Sequence, residues 1–191
     1  MNANAVHLSQ YKSDCCYSPG ASLLKQLAWF YFGSLLAASY WLPLSGLKVR
    51  LLRLFGAQIG KGVRIKPGVR VKFPWRLTVG DDCWIGEQVW IDNLAPVVLE
   101  HDVCLSQGVY LCTGNHDWSK PTFNLRLGSI KIGHSAWIGA KAVVCPGVTV
   151  GEGAVLTVNS VAAGALVAWT IYTGNPAVPI KQRSVKVADP T

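Results

Sequence analysis

The sequence predicts an all-β solenoid, a parallel β-helix built from six-residue repeats. In residues 132–161 an aliphatic side chain returns at every sixth position, at Ile132, Ile138, Val144, Val150 and Leu156. An α-helix repeats about every 3.6 residues and a simple strand every second residue, so a strict period of six fits neither. Six is the repeat of a β-helix in which each hexapeptide forms one flat wall of a prism.

Each position of the repeat has an expected role. The aliphatic residue points into the core. A glycine follows it at 133, 139 and 151, and we expect it to open the turn between walls with a positive φ. A small or β-branched residue four places on, such as Ala136 or Ser160, faces the crowded interior. Three walls complete one coil, so residues 132–161 form about one and two-thirds coils.

The same period runs through residues 59–111, with two-residue slips at Leu77-Thr78 and Val97-Val98. We interpret the slips as longer corners that leave the solenoid intact. Residues 113–131 do not fit the period and are expected to form a loop that protrudes from the prism. Long loops in compact domains are usually functional.

The chain therefore divides into three parts. Residues 1–56 form an N-terminal arm and helical segment, and residues 57–173 form the β-helix with its protruding loop. Residues 174–191 form a tail that leaves the last coil, after a final strand near Trp169–Tyr172. A length of 191 residues suffices for one domain with a real core, and a solenoid suits a chain that is half hydrophobic and only 15% charged.

The N-terminal part contains an uncharged run at residues 26–47. A run of about 20 apolar residues can span a bilayer, but Gly33, Pro43 and Gly46 interrupt this one. We expect one or two helices that cover the open end of the prism or lie in a membrane interface; a transmembrane helix is the alternative. The sequence LKVRLLRLF at 47–55 predicts a short basic amphipathic helix, which suits an anionic surface.

Positive charge is concentrated in the first half of the chain. The net charge is +8, and residues 15–80 contain ten Lys or Arg and no acidic residue. This asymmetry suggests an anionic partner such as a lipid surface or a phosphorylated ligand, with a solvated basic face as the alternative. Nucleic-acid binding is not expected, because the cations lack an aromatic stacking motif.

The six cysteines form no CxxC pair. We interpret them as reduced thiols of a cytosolic protein, with Cys83 acting as a small hydrophobe in an inward position. No metal site is expected, because no spacing of Cys and His residues supports one.

Several segments together resemble the hexapeptide-repeat acyltransferases. They are LLRLFGAQIG at 51–60, TGNHD at 113–117, the run from His134 to Ala154, and GNPA at 174–177. The resemblance covers residues 47–183 and is closest to the colanic acid biosynthesis, galactoside and maltose acetyltransferases. It implies a left-handed coil, a homotrimer with active sites between two prisms, and acetyl-CoA as co-substrate.

The resemblance also implies residues for the chemistry. His116 matches the catalytic base of the family; neutral imidazole can take the proton of an attacking hydroxyl near pH 7. Without the resemblance, the simplest interpretation of His116 is an exposed loop residue with no catalytic role. The backbone N–H of Ala140 matches the oxyanion donor. Asp117, next to His116, is a candidate to orient the imidazole.

The acceptor and coenzyme positions follow in the same way. Asp92 and Asn93 match the acceptor-binding position, although an Asp-Asn pair also favours a simple turn. The positions matched to the coenzyme are Trp137, Ala140, Val158, Lys181 and Arg183, with Lys141 a weaker candidate. The competing interpretations are a surface aromatic for Trp137 and a solvated basic tail for Lys181 and Arg183. His101 is expected to face solvent. His134, in a corner of the next coil, is a minor candidate to approach the active-site cleft.

The leading interpretation is an acetyl-CoA-dependent O-acetyltransferase that acts on a sugar hydroxyl. Its acceptor would be a sugar or a lipid-linked glycan in exopolysaccharide or other cell-surface glycan biosynthesis. The protein would be cytoplasmic, with peripheral contact to the inner face of the membrane as an option. Three alternatives stay open: an N-acetyltransferase on a nucleotide sugar, a non-catalytic β-helix scaffold, and a γ-class carbonic anhydrase. The last needs three His ligands, and no second His lies close after His116.

Overall fold

A three-walled parallel β-helix forms most of the computed structural model, which describes residues 5–11 and 17–185. Wall A contains β1 (Gln58–Ile59), β4 (Leu77–Val79), β7 (Val97–Leu99), β12 (Ile130–Ile132) and β15 (Thr149–Val150). Wall B contains β2 (Arg64–Ile65), β5 (Trp84–Ile85), β8 (Cys104–Leu105), β13 (Trp137–Ile138), β16 (Val155–Leu156), β18 (Thr170–Gly174) and β19 (Ala177–Gln182). Wall C contains β3 (Arg70–Val71), β6 (Trp90–Asp92), β9 (Tyr110–Cys112), β14 (Val143–Val144) and β17 (Val161–Ala162).

The register between coils explains the two slips in the repeat. Ile132 pairs with Val150, which is 18 residues or three hexads later. Ile59 pairs with Val79 and Val79 with Leu99, each 20 residues apart. The extra residues are absorbed before wall A, where a 3-10 helix at Pro74–Arg76 precedes β4. The expectation of longer corners in an intact solenoid is confirmed.

The inward positions of the repeat form one continuous core. Ile132, Ile138 and Leu156 are each fully buried, and the small residues at Ala136 and Ser160 are 1% exposed. Cys83 is also fully buried, and this burial raises the pKa of its thiol to about 11. The described cysteines 83, 104, 112 and 145 are free thiols, whereas Cys15 and Cys16 lie outside the described residues.

The role expected for the repeat glycines is wrong. Gly133, Gly139 and Gly151 do not have positive φ. A Cβ on each would instead lie 2.7, 2.6 and 2.4 Å from a backbone nitrogen of the next coil. Glycine is needed there because the coils approach each other so closely. The positive φ falls two residues later, where Ser135 (φ 57) and Lys141 (φ 56) adopt it without being glycine.

The N-terminal part is helical, as predicted. A continuous helical segment consists of α1 (Leu23–Ala28), a π-helical stretch (Trp29–Gly33) and α2 (Ser34–Ala38), and α3 (Ser45–Leu54) follows. Val49 and Leu52 of α3 join the prism core beside the first coil. In α1 to α2, Trp29 is buried and its Nε1 donates to the carbonyl of Val71 at 3.1 Å. None of the helices described is both long enough and apolar enough for a membrane crossing.

A buried lysine joins the two helical pieces. Lys48 of α3 is fully buried, and its Nζ donates to the carbonyls of Ala37 (2.8 Å) and Ser39 (3.0 Å) at the end of α2. These carbonyls have no partner within the helix, and the helix dipole favours a cation there. Burial lowers the pKa of Lys48.

The protruding loop and the tail both contain more order than expected. The loop carries an antiparallel hairpin of β10 (Gly114–His116) and β11 (Leu125–Leu127). Because Ile130 and Lys131 already lie in β12 of wall A, the loop ends at residue 129 and not at 131. The tail does not leave the prism: β19 folds back antiparallel onto β18 and becomes the edge strand of wall B.

The glycine finding predicts opposite effects for two neighbouring substitutions. Gly133→Ala should lower the melting temperature by about 3–10 °C, because overpacking typically costs about 1–3 kcal/mol. Ser135→Gly, at the left-handed position, should leave the melting temperature unchanged or raise it slightly. Differential scanning calorimetry of both variants checks this. If Ser135→Gly lowers the melting temperature and Gly133→Ala does not, the close-approach explanation is wrong.

Candidate active site

The hairpin that carries His116 is held firmly to the prism. Thr113, at its base, is buried; its Oγ1 donates to the carbonyl of Asp92 at 2.9 Å and accepts from the N–H of Ala95 at 2.9 Å. The N–H of Gly128 returns to the carbonyl of Thr113 at 2.9 Å. The hairpin leaves wall C after β9 and rejoins the prism at β12, so it projects from the edge between walls C and A.

The imidazole of His116 has a defined tautomer. Its Nδ1 lies 2.9 Å from the backbone carbonyl oxygen of Phe123. A carbonyl can only accept, so Nδ1 carries the hydrogen and Nε2 presents a lone pair. The ring of Phe123 stacks on the imidazole at 4.4 Å, and Tyr11 meets it edge-on at 5.8 Å. His116 is therefore oriented as a proton acceptor at Nε2.

The expected role of Asp117 is wrong. Its Oδ1 accepts from the N–H and Oγ of Ser119, and its Oδ2 from Arg126 of β11 at 2.7 Å. The hydrogen bond from Ser119 is the main cause that holds the pKa of Asp117 below its ordinary value. Asp117 thus ties the two strands of the hairpin together, while the Phe123 carbonyl orients the imidazole.

Phe123 and Tyr11 were missed by the sequence reasoning. Phe123 lies seven residues beyond His116 in the loop, and Tyr11 lies in the N-terminal arm. Neither position belongs to a motif. Phe123 has a φ of 49, a left-handed conformation that is unusual for a bulky residue and that often marks functional sites. That signal exists only in the folded chain.

The two acceptor candidates differ in their surroundings. Asp92 lies on the outer side of wall C: the Tyr110 hydroxyl donates to its Oδ2 at 3.2 Å, and Lys72 Nζ lies 3.0 Å from its Oδ1. Oδ1 is itself buried; Lys72 neutralises its charge, but this oxygen has no hydrogen-bond partner among the described residues. Burial is the main cause that raises the pKa of Tyr110, which keeps this hydroxyl a donor.

Asn93 does not suit the expected role in acceptor binding. It is fully buried, its Oδ1 accepts from the N–H of Phe73 at 2.9 Å, and its Nδ2 donates to the carbonyl of Phe73 at 2.8 Å. Its side-chain amide thus links its own coil to the backbone of Phe73 in the preceding coil. A side chain that must be satisfied inside the prism cannot reach a ligand outside it.

Three of the coenzyme candidates lie together at the edge between walls B and C. Ala140 follows β13, and no described residue accepts from its N–H, which leaves that donor free at the corner. Trp137 is half exposed, with its Nε1 donating to Ser106 Oγ at 2.9 Å, and Val158 of the next coil is exposed. A Cβ on Gly139 would lie only 2.6 Å from the backbone nitrogen of Val158, so the two corners approach each other closely. This edge therefore combines a free N–H with an accessible indole.

The two basic tail candidates lie elsewhere. Lys181 is exposed on β19, opposite Ile171 on wall B. Arg183 donates from Nη1 to the carbonyls of Ser135 (2.7 Å) and Gly153 (3.0 Å), at the edge between walls A and B. Arg183 thus fastens the tail at the edge opposite to Ala140, which does not match the expected phosphate contact.

His134 lies at the same edge between walls A and B as Arg183. Its Nε2 pairs with Glu152 at 2.8 Å, and its ring stacks on exposed His101 at 4.8 Å. In residues 5–11 and 17–185, no group of three or more His, Cys, Asp or Glu side chains is arranged to hold a metal ion.

Comparison with known proteins agrees with this geometry. The model of the hexapeptide repeat of succinyl-transferase matches residues 76–112 and 129–162. WcaF of Escherichia coli (strain K12), an acetyltransferase assigned to colanic acid biosynthesis, is 39% identical over 178 residues, which is 92% of this chain and 96% of WcaF.

Two solved structures share the fold. A hexapeptide-repeat acetyltransferase of Vibrio cholerae, solved with acetyl coenzyme A, superposes with a TM-score of 0.75 at 21% identity over 87% of this chain and 92% of that one. A galactoside acetyltransferase in complex with coenzyme A gives a TM-score of 0.73 at 20% identity, over 84% of this chain and 82% of that one. The chain belongs to the hexapeptide-repeat acetyltransferases and has their left-handed β-helix fold.

Proposed function

We propose that the protein transfers the acetyl group of acetyl-CoA to a sugar hydroxyl in cell-surface glycan biosynthesis, with His116 as general base. The observation that carries this proposal is the hydrogen bond from His116 Nδ1 to the carbonyl of Phe123, because it makes Nε2 the proton-accepting nitrogen of the neutral ring. The coenzyme-bound structures of related fold and the WcaF assignment support the donor and the pathway class.

The reaction follows from these groups. Nε2 of His116 takes the proton of the acceptor hydroxyl while its oxygen attacks the thioester carbonyl carbon. The oxyanion that forms accepts a hydrogen bond from the free N–H of Ala140. The intermediate then collapses, the C–S bond breaks, and the imidazolium returns its proton to the departing thiolate. No covalent enzyme intermediate is needed.

The positions of these groups support a homotrimer. His116 projects from the edge between walls C and A, whereas Ala140 lies at the edge between walls B and C. On one triangular prism these edges are different corners, so a cleft between two prisms would bring the base of one protomer to the corner of its neighbour. The exposed indoles of Trp84 and Trp137 on wall B fit a buried contact between protomers.

Coenzyme contacts in this cleft follow the same edge. Trp137 and Val158 would flank the pantetheine arm on either side of the Ala140 N–H, and Lys181 remains available for phosphate. At the acceptor end, Asp92 remains the candidate for acceptor binding, because its side chain lies on the outer side of wall C beside Lys72. Asn93 and Arg183 act in the fold and not on the substrates.

The helical segment supports peripheral contact with the cytoplasmic face of a membrane. Large apolar side chains that are more than half exposed lie on this segment and on the residues directly after it: Leu23, Leu24, Phe30, Tyr31, Phe32, Leu35, Leu36, Tyr40 and Trp41. Such a patch on a monomer marks a site of interaction. A flanking cation such as exposed Arg50 of α3 suits anionic lipid.

Removal of the base should abolish most turnover and spare the fold. His116→Ala should lower kcat by roughly 10²–10⁴, the usual contribution of a positioned base, while Kd for CoA changes little. His101→Ala is the matched control, because His101 is exposed at the edge between walls A and B. Turnover is measured with labelled acetyl-CoA and a panel of sugar acceptors. Retention of more than about a third of wild-type turnover by His116→Ala would rule out the assignment.

Loosening the hairpin should impair the base without touching the coenzyme. Asp117→Asn removes the carboxylate charge to which Arg126 and Ser119 donate hydrogen bonds, which weakens the link between the two hairpin strands. The imidazole of His116 is then less well positioned, so kcat should fall while Kd for CoA stays constant. The pKa of Asp117 is lowered in the folded chain. Asp117 therefore stabilises the folded hairpin fully above the ordinary pKa of Asp, and this stabilisation is lost as the pH falls through the lowered pKa. An unchanged kcat at pH 7 in Asp117→Asn would show that the hairpin is held by other contacts.

Membrane contact should depend on lipid charge and on the exposed helix face. The protein should sediment with anionic vesicles and not with neutral ones, and about 0.5 M salt should weaken the association. Phe32→Glu combined with Leu36→Glu should reduce sedimentation, whereas Thr149→Glu on wall A should not. Protein that remains in the supernatant with anionic vesicles at low salt would contradict the peripheral contact.

A further inference from the structure

An apolar groove separates the N-terminal helical segment from wall C. One side consists of Leu27, Phe30 and Leu35, and the other of Val71, Phe73 and Trp90. Its volume is about 540 Å³, within the usual range of ligand clefts. Phe30 and Leu35 are 68% and 69% exposed, so the groove opens onto the apolar surface of the helix.

The wall C side of this groove is charged. Arg70 lies over the ring of Trp90 at 4.4 Å, which holds the guanidinium at the groove wall. Lys72 and Asp92 line the same groove and form an ion pair at 3.0 Å. A trough with apolar sides and, at one wall, two cations and one carboxylate has a net positive charge, which is complementary to an amphiphile that combines a hydrocarbon chain with an anionic head.

We propose that this groove binds the hydrocarbon chain of a lipid phosphate that carries the acceptor sugar, with its phosphate at Arg70 and Lys72. The sugar part rests on the proposed function, whereas the binding of the lipid phosphate stands by itself. Arg70 and Lys72 suit a phosphate group because charge-assisted hydrogen bonds to phosphate are strong. The chain reaches the groove from the bilayer surface that the exposed helix face would contact.

The groove also leads towards the base. Asp92 pairs in register with Cys112, and its backbone carbonyl accepts from Thr113 at the foot of the hairpin. His116 follows Cys112 by four residues, a segment that spans at most about 14 Å when extended. A sugar attached to a phosphate at Arg70 and Lys72 would therefore extend past Asp92 towards the hairpin.

Direct binding of a soluble lipid phosphate tests the proposal without any acetyl transfer. Calorimetric titration of the full chain with farnesyl phosphate should show saturable binding. Farnesol, which lacks the phosphate, and inorganic phosphate, which lacks the chain, should each bind at least about tenfold more weakly. Because no acetyl-CoA is present, a failure here is distinct from a failure of the proposed catalysis.

Neighbouring residues provide matched variants. Phe30→Glu and Leu35→Glu place a carboxylate in the groove and should weaken farnesyl phosphate binding about tenfold or more. Phe32→Glu and Leu36→Glu change exposed neighbours that do not line the groove, and binding should stay within about twofold. Arg70→Gln should lose the preference for farnesyl phosphate over farnesol. Arg64→Gln, whose guanidinium lies over Trp84 of wall B at 4.9 Å, should retain it.

The outcomes separate the occupants of the groove. Equal loss in Phe32→Glu and Phe30→Glu would indicate adsorption to the helix surface and would overturn the groove. No saturable binding by the wild type at millimolar farnesyl phosphate would overturn it as well. If Leu35→Glu changes the oligomer mass in sedimentation and the wild type binds no lipid, a second protomer occupies the groove and the proposal is wrong. Melting temperatures of all variants confirm that each is folded.

Discussion

The close stacking of successive coils is the constraint on which the rest of the structure depends. At Gly133, Gly139 and Gly151 the backbone of one coil lies so near the next that even a methyl group would collide with it. The same stacking places every sixth aliphatic residue in one core and leaves the outer surfaces of the three walls for function. A rigid prism of this kind can hold side chains from distant coils at constant positions.

The base is positioned by departures from that regularity. The hairpin is inserted between the third and fourth coils and adds residues that belong to no wall, yet Thr113 and Asp117 fasten it at its foot and across its strands. Phe123, in a left-handed conformation, directs its carbonyl to His116 Nδ1. The tautomer of His116 is therefore a property of the hairpin backbone and not of an adjacent carboxylate.

The N-terminal helical segment shows an unusual division of its apolar residues. Trp29 and the buried Lys48 attach it to the first coil and to α3, which satisfies the carbonyls at its end. Most of its other large side chains remain exposed or border the groove against wall C. A helix that only covered the end of a prism would leave this apolar surface exposed to water, which is unfavourable. The exposed surface instead suits a helix that contacts an apolar partner.

The sequence by itself determined the repeat, the core positions, the N-terminal helices and the family resemblance, because all of these depend on periodicity or on local motifs. It also singled out His116 and Ala140 through that resemblance. Only the tertiary structure decided that Asn93 is buried, that Arg183 and His134 lie at the edge between walls A and B, that Asp117 holds the hairpin, and that the tail returns as β19. The reason is physical: period and motif specify which wall or corner a residue occupies, whereas its partners come from a neighbouring coil, 18 or 20 residues away, or from within a folded loop.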